Sequence, residues 1–163
     1  MNVNKKISKK REQKIAIDIK GKAHPGSGAV WYKKGDVSNK VFQIEDKFTR
    51  NDAYSLSIDT LKKIELQSKK IAKIPILSIG YIAVQRNYAI LRKQDFQLEN
   101  VCRKEYEGNK STLLVEEDMW VYFLRRYAED KNTVSTIFLT LADKEYYIIE
   151  WGIFIKNANR III

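Results

Sequence analysis

The chain has 163 residues, 44% hydrophobic and 11% aromatic, which suits one folded domain with a real core and excludes a disordered polymer. Its formal charge of +10 points to a polyanionic partner, and its single cysteine, Cys102, excludes an intramolecular disulfide and fits a reducing, cytoplasmic setting. The single histidine, His24, argues against histidine metal clusters and Ser-His-Asp triads. The N-terminal "MNVNKKISKKREQK" has no apolar stretch of a secretory leader, and the longest apolar run, "IPILSIGYIAV", is too short to span a bilayer, so no membrane role is expected. The charge is uneven: residues 1–50 hold 13 Lys/Arg against 5 Asp/Glu, while residues 111–163 hold 6 against 8. One basic face meeting a polyanion explains this better than membrane binding, because no basic amphipathic helix with bulky aromatics is evident. The plainer alternative is a set of solvated lysines.

In chain order, residues 6–20 read as a helix with Ile7, Ile15, Ala16 and Ile19 available to a buried face, ended by Gly21. "KAHPGSGAVWYKKGD" reads as a loop leading into a short strand near Val30 to Tyr32, and Val41 to Phe48 alternates as a strand. "RNDAYS" reads as a connector, and Ser57 to Ala72 as an amphipathic helix through Ile58, Leu61, Ile64, Ser68 and Ile71. "ILSIGYIAV" has the near-continuous apolar character of a central strand, "NYAILRK" reads as one more strand, and "QDFQLENVCRKEYE" as a short helix. After Gly108 the pattern gives a helix over "EEDMWVYFLRRYAED", then two strands in "TVSTIFLTLADKEYYIIEWGIFI" joined at Asp143-Lys144. The tail "RIII" suits pairing with a neighbouring strand. The expectation is an α/β core over residues 1–107, a mixed central sheet flanked by helices in the order α-β-β-α-β. Residues 108–163 then form a C-terminal helix plus β-hairpin addition, packed on the core or at a dimer interface.

The strand "FQIEDKF" carries charges where a core strand would not. Alternation puts Glu45 and Lys47 on one face, with Asp46 on the other beside Phe42 and Ile44. Asp36 follows Gly35 in the preceding turn, where an adjacent strand would set it beside Glu45. Two carboxylates that close repel unless a cation separates them, which is how oxygen-ligand Mg²⁺ sites are built. A lysine beside them can orient or deprotonate a water and stabilise developing charge. Glu-x-Lys also occurs at Glu12 and Glu129, but only Glu45 lies on an apolar alternating strand with Gly-Asp nine residues upstream. Glu12 shares a helix face with Ile15, Ala16 and Ile19; it either turns toward the sheet as a third carboxylate or snorkels to water.

Glu12, "PGSGA", "KGDV", "FQIEDKFT", "LKKIELQSKK" and "IPILSIGY" together resemble the PD-(D/E)xK nuclease superfamily, nearest to archaeal-type Holliday junction resolvases and their phage relatives, over Lys9 to Phe96. The resemblance implies a restriction-endonuclease-like core, with Asp36 and Glu45 as ligands of Mg²⁺ or Mn²⁺, Glu12 as a further acid and Lys47 as catalytic lysine. It implies that Ser27 in the glycine-flanked loop approaches the scissile strand, with Thr49 and Gln67 as accessory positions. It further implies a symmetric homodimer acting on branched or double-stranded DNA in a host cytoplasm, leaving 5′-phosphate and 3′-hydroxyl ends. Two features depart from the pattern: Gly35 stands where the motif has proline, and residues 108–163 match nothing in the short resolvases.

Lys9, Lys10, Arg11, Lys33, Lys34 and Arg50 flank the proposed site as candidate phosphate contacts, which position DNA without reading its sequence. "PGSG" lacks the Gly-Lys-Ser/Thr of a phosphate-binding P-loop. Trp120, Tyr122, Phe123 and Tyr127 fit core packing or a subunit interface, and Cys102 a small buried residue. The leading expectation is a metal-dependent, structure-selective endonuclease, most of all a Holliday junction resolvase. The alternatives are a restriction-like, nicking or flap-cutting nuclease of the same fold, and a non-catalytic DNA-binding protein.

Overall fold

The computed structural model describes residues 2–24, 35–96, 101–108, 112–116, 134–141 and 143–161. In chain order the elements are α1 (Val3–Asp18), β1 (Lys22–Ala23), β2 (Val37–Ser38), β3 (Phe42–Thr49), β4 (Ala53–Ser57), α2 (Ile58–Lys69), β5 (Ile74–Tyr81), β6 (Arg86–Arg92), β7 (Val101–Gly108), β8 (Thr112–Glu116), β9 (Val134–Leu141), β10 (Lys144–Glu150) and α3 (Trp151–Ile161). The fold is α/β: a mixed eight-stranded sheet in the order β1-β2-β3-β5-β6-β10-β9-β7, with β4 and β8 forming a separate antiparallel pair. Two neighbours, β3–β5 and β9–β7, are parallel, and the other contacts within the large sheet are antiparallel.

Alternation along the strands builds a core on each face of the sheet. Leu77, Ile79 and Tyr81 of β5, with Ile90 and Tyr88 of β6, meet Ile58, Leu61 and Ile64 of α2. On the opposite face Phe42 and Ile44 of β3, with Ile76 and Ala89, meet Ile15 and Ile19, and Trp151 and Phe154 of α3. The crossover β3–β4–α2–β5 returns to a parallel strand, so Glu45 lies beside Leu77 and Lys47 beside Ile79 on the α2 face, while Asp46 pairs with Ser78 on the α1 face.

Local chemistry sets the boundaries. Ser57 caps α2 by accepting from the Asp59 amide at 3.2 Å. At the end of α1 the Gly21 and Lys20 amides return to the Ala16 and Ile17 carbonyls, a Schellman closure. It is Lys20, at φ 53°, that takes the left-handed conformation. Gly21 is required for another reason: a Cβ there would meet the Ser38 carbonyl oxygen at 2.5 Å.

Several expectations are revised. Ala53–Ser55, the end of the "RNDAYS" connector, belong with Leu56 and Ser57 to strand β4, paired along its length with β8. The helix predicted across Gln94–Glu107 is instead a short 3-10 turn, Lys93–Asp95, followed by strand β7. Its Lys/Glu content favours a helix, but pairing from Val101↔Val134 through Gly108↔Leu141 overrides that local preference. The hairpin of β9 and β10 forms around Asp143 as predicted, yet "WGIFI" leaves the strand as α3. Trp151, Phe154 and Ala158 then fall on one buried stripe, and the Glu150 carboxylate accepts from the Ile153 amide at 3.0 Å at the helix start. Of the tail "RIII", Arg160 and Ile161 close α3 rather than pairing with a strand, and Ile162 and Ile163 lie outside the described residues. The short strand at Val30–Tyr32 lies outside the described residues, as does the Cys102 side chain; of the helix expected over 116–130, Glu116 ends strand β8 and the rest, with Trp120, Tyr122, Phe123 and Tyr127, is likewise outside them.

Beyond residue 107 the chain continues the same sheet, because β10 pairs directly with β6 from Tyr146↔Arg92 to Glu150↔Tyr88. The Trp151 indole donates to Asp18 at 2.8 Å, tying α3 to α1 across 133 residues of sequence. Among the described residues no helix is long and apolar enough to cross a membrane.

Candidate metal and nucleic-acid site

The site is assembled where β2 closes on β3. Gly35 has φ +91°, and a Cβ there would run into the Gln43 side chain at 2.6 Å. Proline, locked near −65°, cannot occupy this backbone, so the glycine is a conformational requirement of the turn. The turn delivers Asp36, whose amide donates to the Ile44 carbonyl at 2.9 Å and whose own carbonyl accepts from the His24 amide at 2.8 Å. Held at both ends, Asp36 presents Oδ2 to the Asp46 amide at 2.8 Å. The strand pair therefore brings Asp36 against the Glu45–Asp46 peptide.

On the α2 face of β3, Lys47 Nζ donates to Glu45 Oε1 at 2.7 Å, and the pair stays within reach of solvent, with Lys47 43% and Glu45 22% exposed. Burial pulls the Lys47 ammonium down, but the Glu45 hydrogen bond and the charges of Glu45 and Asp36 outweigh it and leave its pKa raised. Lys47 is thus a cation here, suited to neutralising charge rather than taking a proton. Glu12, on α1, is half-buried in the same field. Burial raises its carboxyl above the ordinary 4.5, Asp36, Asp46 and Glu45 push it further, and Lys47 pulls back.

Asp36, Glu45 and Glu12 offer oxygen donors only, the set that suits Mg²⁺ or Mn²⁺. Among the described residues no three His, Cys, Asp or Glu side chains stand close enough together to hold one ion as they are. Both glutamates have two-carbon stems, and among the described residues Glu45 Oε1 is held by the long Lys47 side chain.

The basic candidates divide. Lys9 and Lys10 are exposed on α1, as are Lys5 and Lys6, and Arg50 is exposed with Nη2 on Asn4 Oδ1 at 2.9 Å. That contact, with Arg11 against Asp46, sets the N-terminal half of α1 beside the Lys47 end of β3. Arg11, expected as a phosphate contact, is instead turned inward: its side chain is 12% exposed and its guanidinium grips Asp46. Thr49 serves the turn, donating to the Ala53 carbonyl at 3.2 Å and accepting from the Asn51 amide at 3.0 Å. Gln67 is half-buried on α2, with no contact to the acids among the described residues. Ser27, Lys33 and Lys34 lie outside the described residues. His24 is half-buried, its Nε2 bonded to Ser38 Oγ at 2.8 Å.

Sequence reasoning did not place Tyr54, from the strand it read as connector. Burial raises the Tyr54 phenol, and the charges of Lys47 and Glu45 act on it, so it stands in the same field. It also missed the buried partnership of Arg11 and Asp46. The signal was present: an acid alternating with Phe42 and Ile44 needs a cation, and Arg11 lies one helical turn before Ile15.

Fold and site define an α/β protein with a mixed sheet and an acid-rich, lysine-bearing strand end. Comparison with protein-family models, with curated proteins and with solved structures found no match.

Proposed function

We propose that the chain is a divalent-metal-dependent endodeoxyribonuclease of PD-(D/E)xK type with a restriction-endonuclease-like core, acting on branched DNA and best suited to four-way junctions. The observation that carries this reading is the excess of acid: Glu12, Asp36 and Glu45 share one field with a single lysine, beside a helix that presents exposed lysines. A DNA-binding surface gains nothing from an excess of carboxylates, which repel phosphate unless a cation intervenes.

In this reading Asp36, Glu45 and Glu12 would hold Mg²⁺ or Mn²⁺. The bound ion supplies charge neutralisation at the scissile phosphate and a water of lowered pKa. Lys47, already protonated, balances the negative charge that develops on the phosphoryl oxygens. Water oxygen bonds to phosphorus, the P–O3′ bond breaks, and the ends are a 5′-phosphate and a 3′-hydroxyl. Lys9, Lys10 and Arg50 contact the backbone on either side, and such contacts select shape over sequence. A homodimer would offer two such sites to the two-fold symmetric strands of a junction.

The test is cleavage with Mg²⁺ or Mn²⁺ of a four-way junction beside linear, nicked and flapped duplexes of matched sequence, with an EDTA control. Paired symmetric cuts in the junction alone support the resolvase. Cutting of linear, nicked or flapped DNA keeps the chemistry and replaces the substrate. Binding without cutting by folded protein favours the non-catalytic alternative, which the present separation of the carboxylates also suits.

A further inference from the structure

On the α1 face of β3, directly behind the Glu45–Lys47 pair, lies a second charged node. Arg11 Nε donates to Asp46 Oδ2 at 2.8 Å and Nη2 to Asp46 Oδ1 at 2.6 Å, a bidentate fork. Arg11 Nη1 reaches Asn87 Oδ1 on β6 at 2.7 Å, and Nη2 also approaches the Lys47 carbonyl at 3.4 Å. Asp46 is 3% exposed. The guanidinium crosses β5 at Gly80, where any Cβ would land on Arg11, and it lies 6.0 Å from the Phe48 ring centre. A buried ion pair is a poor source of net stability, since apolar residues of the same volume do as well. A glycine cleared for it, three strands engaged and a carbonyl of the Glu-x-Lys segment contacted indicate a positional task.

That task is legible in what the node adjoins. The backbone amide of Asp46 is the donor to Asp36 Oδ2, at 2.8 Å. Gripping the Asp46 side chain and touching the Lys47 carbonyl holds residue 46 and the peptide that follows Lys47. The fixed Asp46 amide then aims the Asp36 carboxylate, while Glu45 and Lys47 are held on the opposite face. We infer that Arg11, Asp46 and Asn87 form a positioning clamp that presets the Asp36 carboxylate and the Glu45–Lys47 pair for a divalent cation. The inference rests on the proposed metal-dependent reading. Partners behind a ligand commonly change metal affinity about 10–100-fold when removed.

The experiment is a Mg²⁺ titration of ¹⁵N-labelled full-length protein followed by amide shifts, on the wild type, Asp46→Asn and Asn87→Ala. In the wild type the Asp46 amide is expected to shift in step with Mg²⁺ occupancy, because its acceptor becomes a ligand. Asp46→Asn keeps that amide but weakens the fork, and its Mg²⁺ affinity should fall about tenfold. Asn87→Ala, which removes one outer bond, should fall less. Should Asp46→Asn not fold, the wild-type amide decides alone. Mg²⁺ binding that leaves the Asp46 amide unmoved, or equal Mg²⁺ affinity in wild type and a folded Asp46→Asn, would overturn the clamp and leave the metal site standing. A wild type that binds no Mg²⁺ would overturn the metal reading and the clamp with it.

Discussion

Two carboxylate clusters border the sheet, and they are built to opposite balances. Near the C-terminal end of α2, Glu65 accepts from the Tyr146 hydroxyl at 2.7 Å, from Lys144 at 2.7 Å and from Arg92 at 3.4 Å. Burial raises its carboxyl, but Lys144, Tyr146 and Arg92 outweigh it and hold the pKa below its ordinary value. One acid with three donors is a joint: it ties α2 to β6 and β10 and so locks the C-terminal hairpin to the first half of the chain. At the β2–β3 end the ratio is inverted, with Glu12, Asp36 and Glu45 around Lys47 and the Glu12 pKa raised. Folding alone explains the first cluster. The second gathers acids around one lysine, with the Glu12 carboxyl raised by burial and by its neighbours, and the proposed cation site rests on that balance.

The contrast gives an order of effects. The largest loss of stability should follow Arg11→Ala, which leaves Asp46 buried and unpaired, a defect of about 3–5 kcal/mol measured as a fall in the urea midpoint. If the midpoint barely moves, Asp46 is better solvated than its 3% exposure implies. Next comes Glu65→Ala, which orphans three donors and should cost about 1–3 kcal/mol while leaving Mg²⁺ response and DNA cleavage intact.

The pH dependence sharpens the same distinction. The folded pKa of Glu65 lies below its ordinary 4.5, so its contribution is complete above the unfolded pKa and is lost as pH falls through the folded one. Wild type should therefore exceed Glu65→Gln in stability at pH 7, with the gap closing below about pH 4.5. A gap that widens in acid would reverse the sign assigned to this cluster. The smallest effect is expected at Glu12→Gln. Removing a like charge should raise metal-free stability by less than about 1 kcal/mol and weaken any Mg²⁺-induced gain. Equal Mg²⁺ gains in both proteins would take Glu12 out of the cation site.

How far the sequence disclosed this follows from the range of each signal. Period-2 alternation in "FQIEDKF" separated Glu45 and Lys47 from Asp46, and the structure sets them on the two faces so divided. The helix stripe of Ile58, Leu61 and Ile64 and the apolar run of β5 were equally plain, being local patterns of one period. What stayed hidden depends on distant partners. "AYSLS" becomes a strand because Thr112–Glu116 lies beside it, and Val101–Gly108 because Val134–Leu141 does. "WGIFI" is apolar enough to extend β10, and only the spacing of Trp151, Phe154 and Ala158 against α1 selects a helix. Within the site, Arg11 read as one more cation of a basic segment; its burial depends on a glycine 69 residues away, at Gly80.

The measurement that bears most directly on the central claim is the thermal midpoint of wild type, Glu45→Ala and Glu65→Ala across a Mg²⁺ titration. Stabilisation by a bound ion grows as RT ln(1 + [L]/Kd), so only a protein that retains the site responds. Midpoints should rise for wild type and for Glu65→Ala, from its lower starting point, with a flat response in Glu45→Ala. A flat wild type, or a Glu45→Ala protein that rises in parallel with it, would contradict the assignment of the acid excess to a divalent cation.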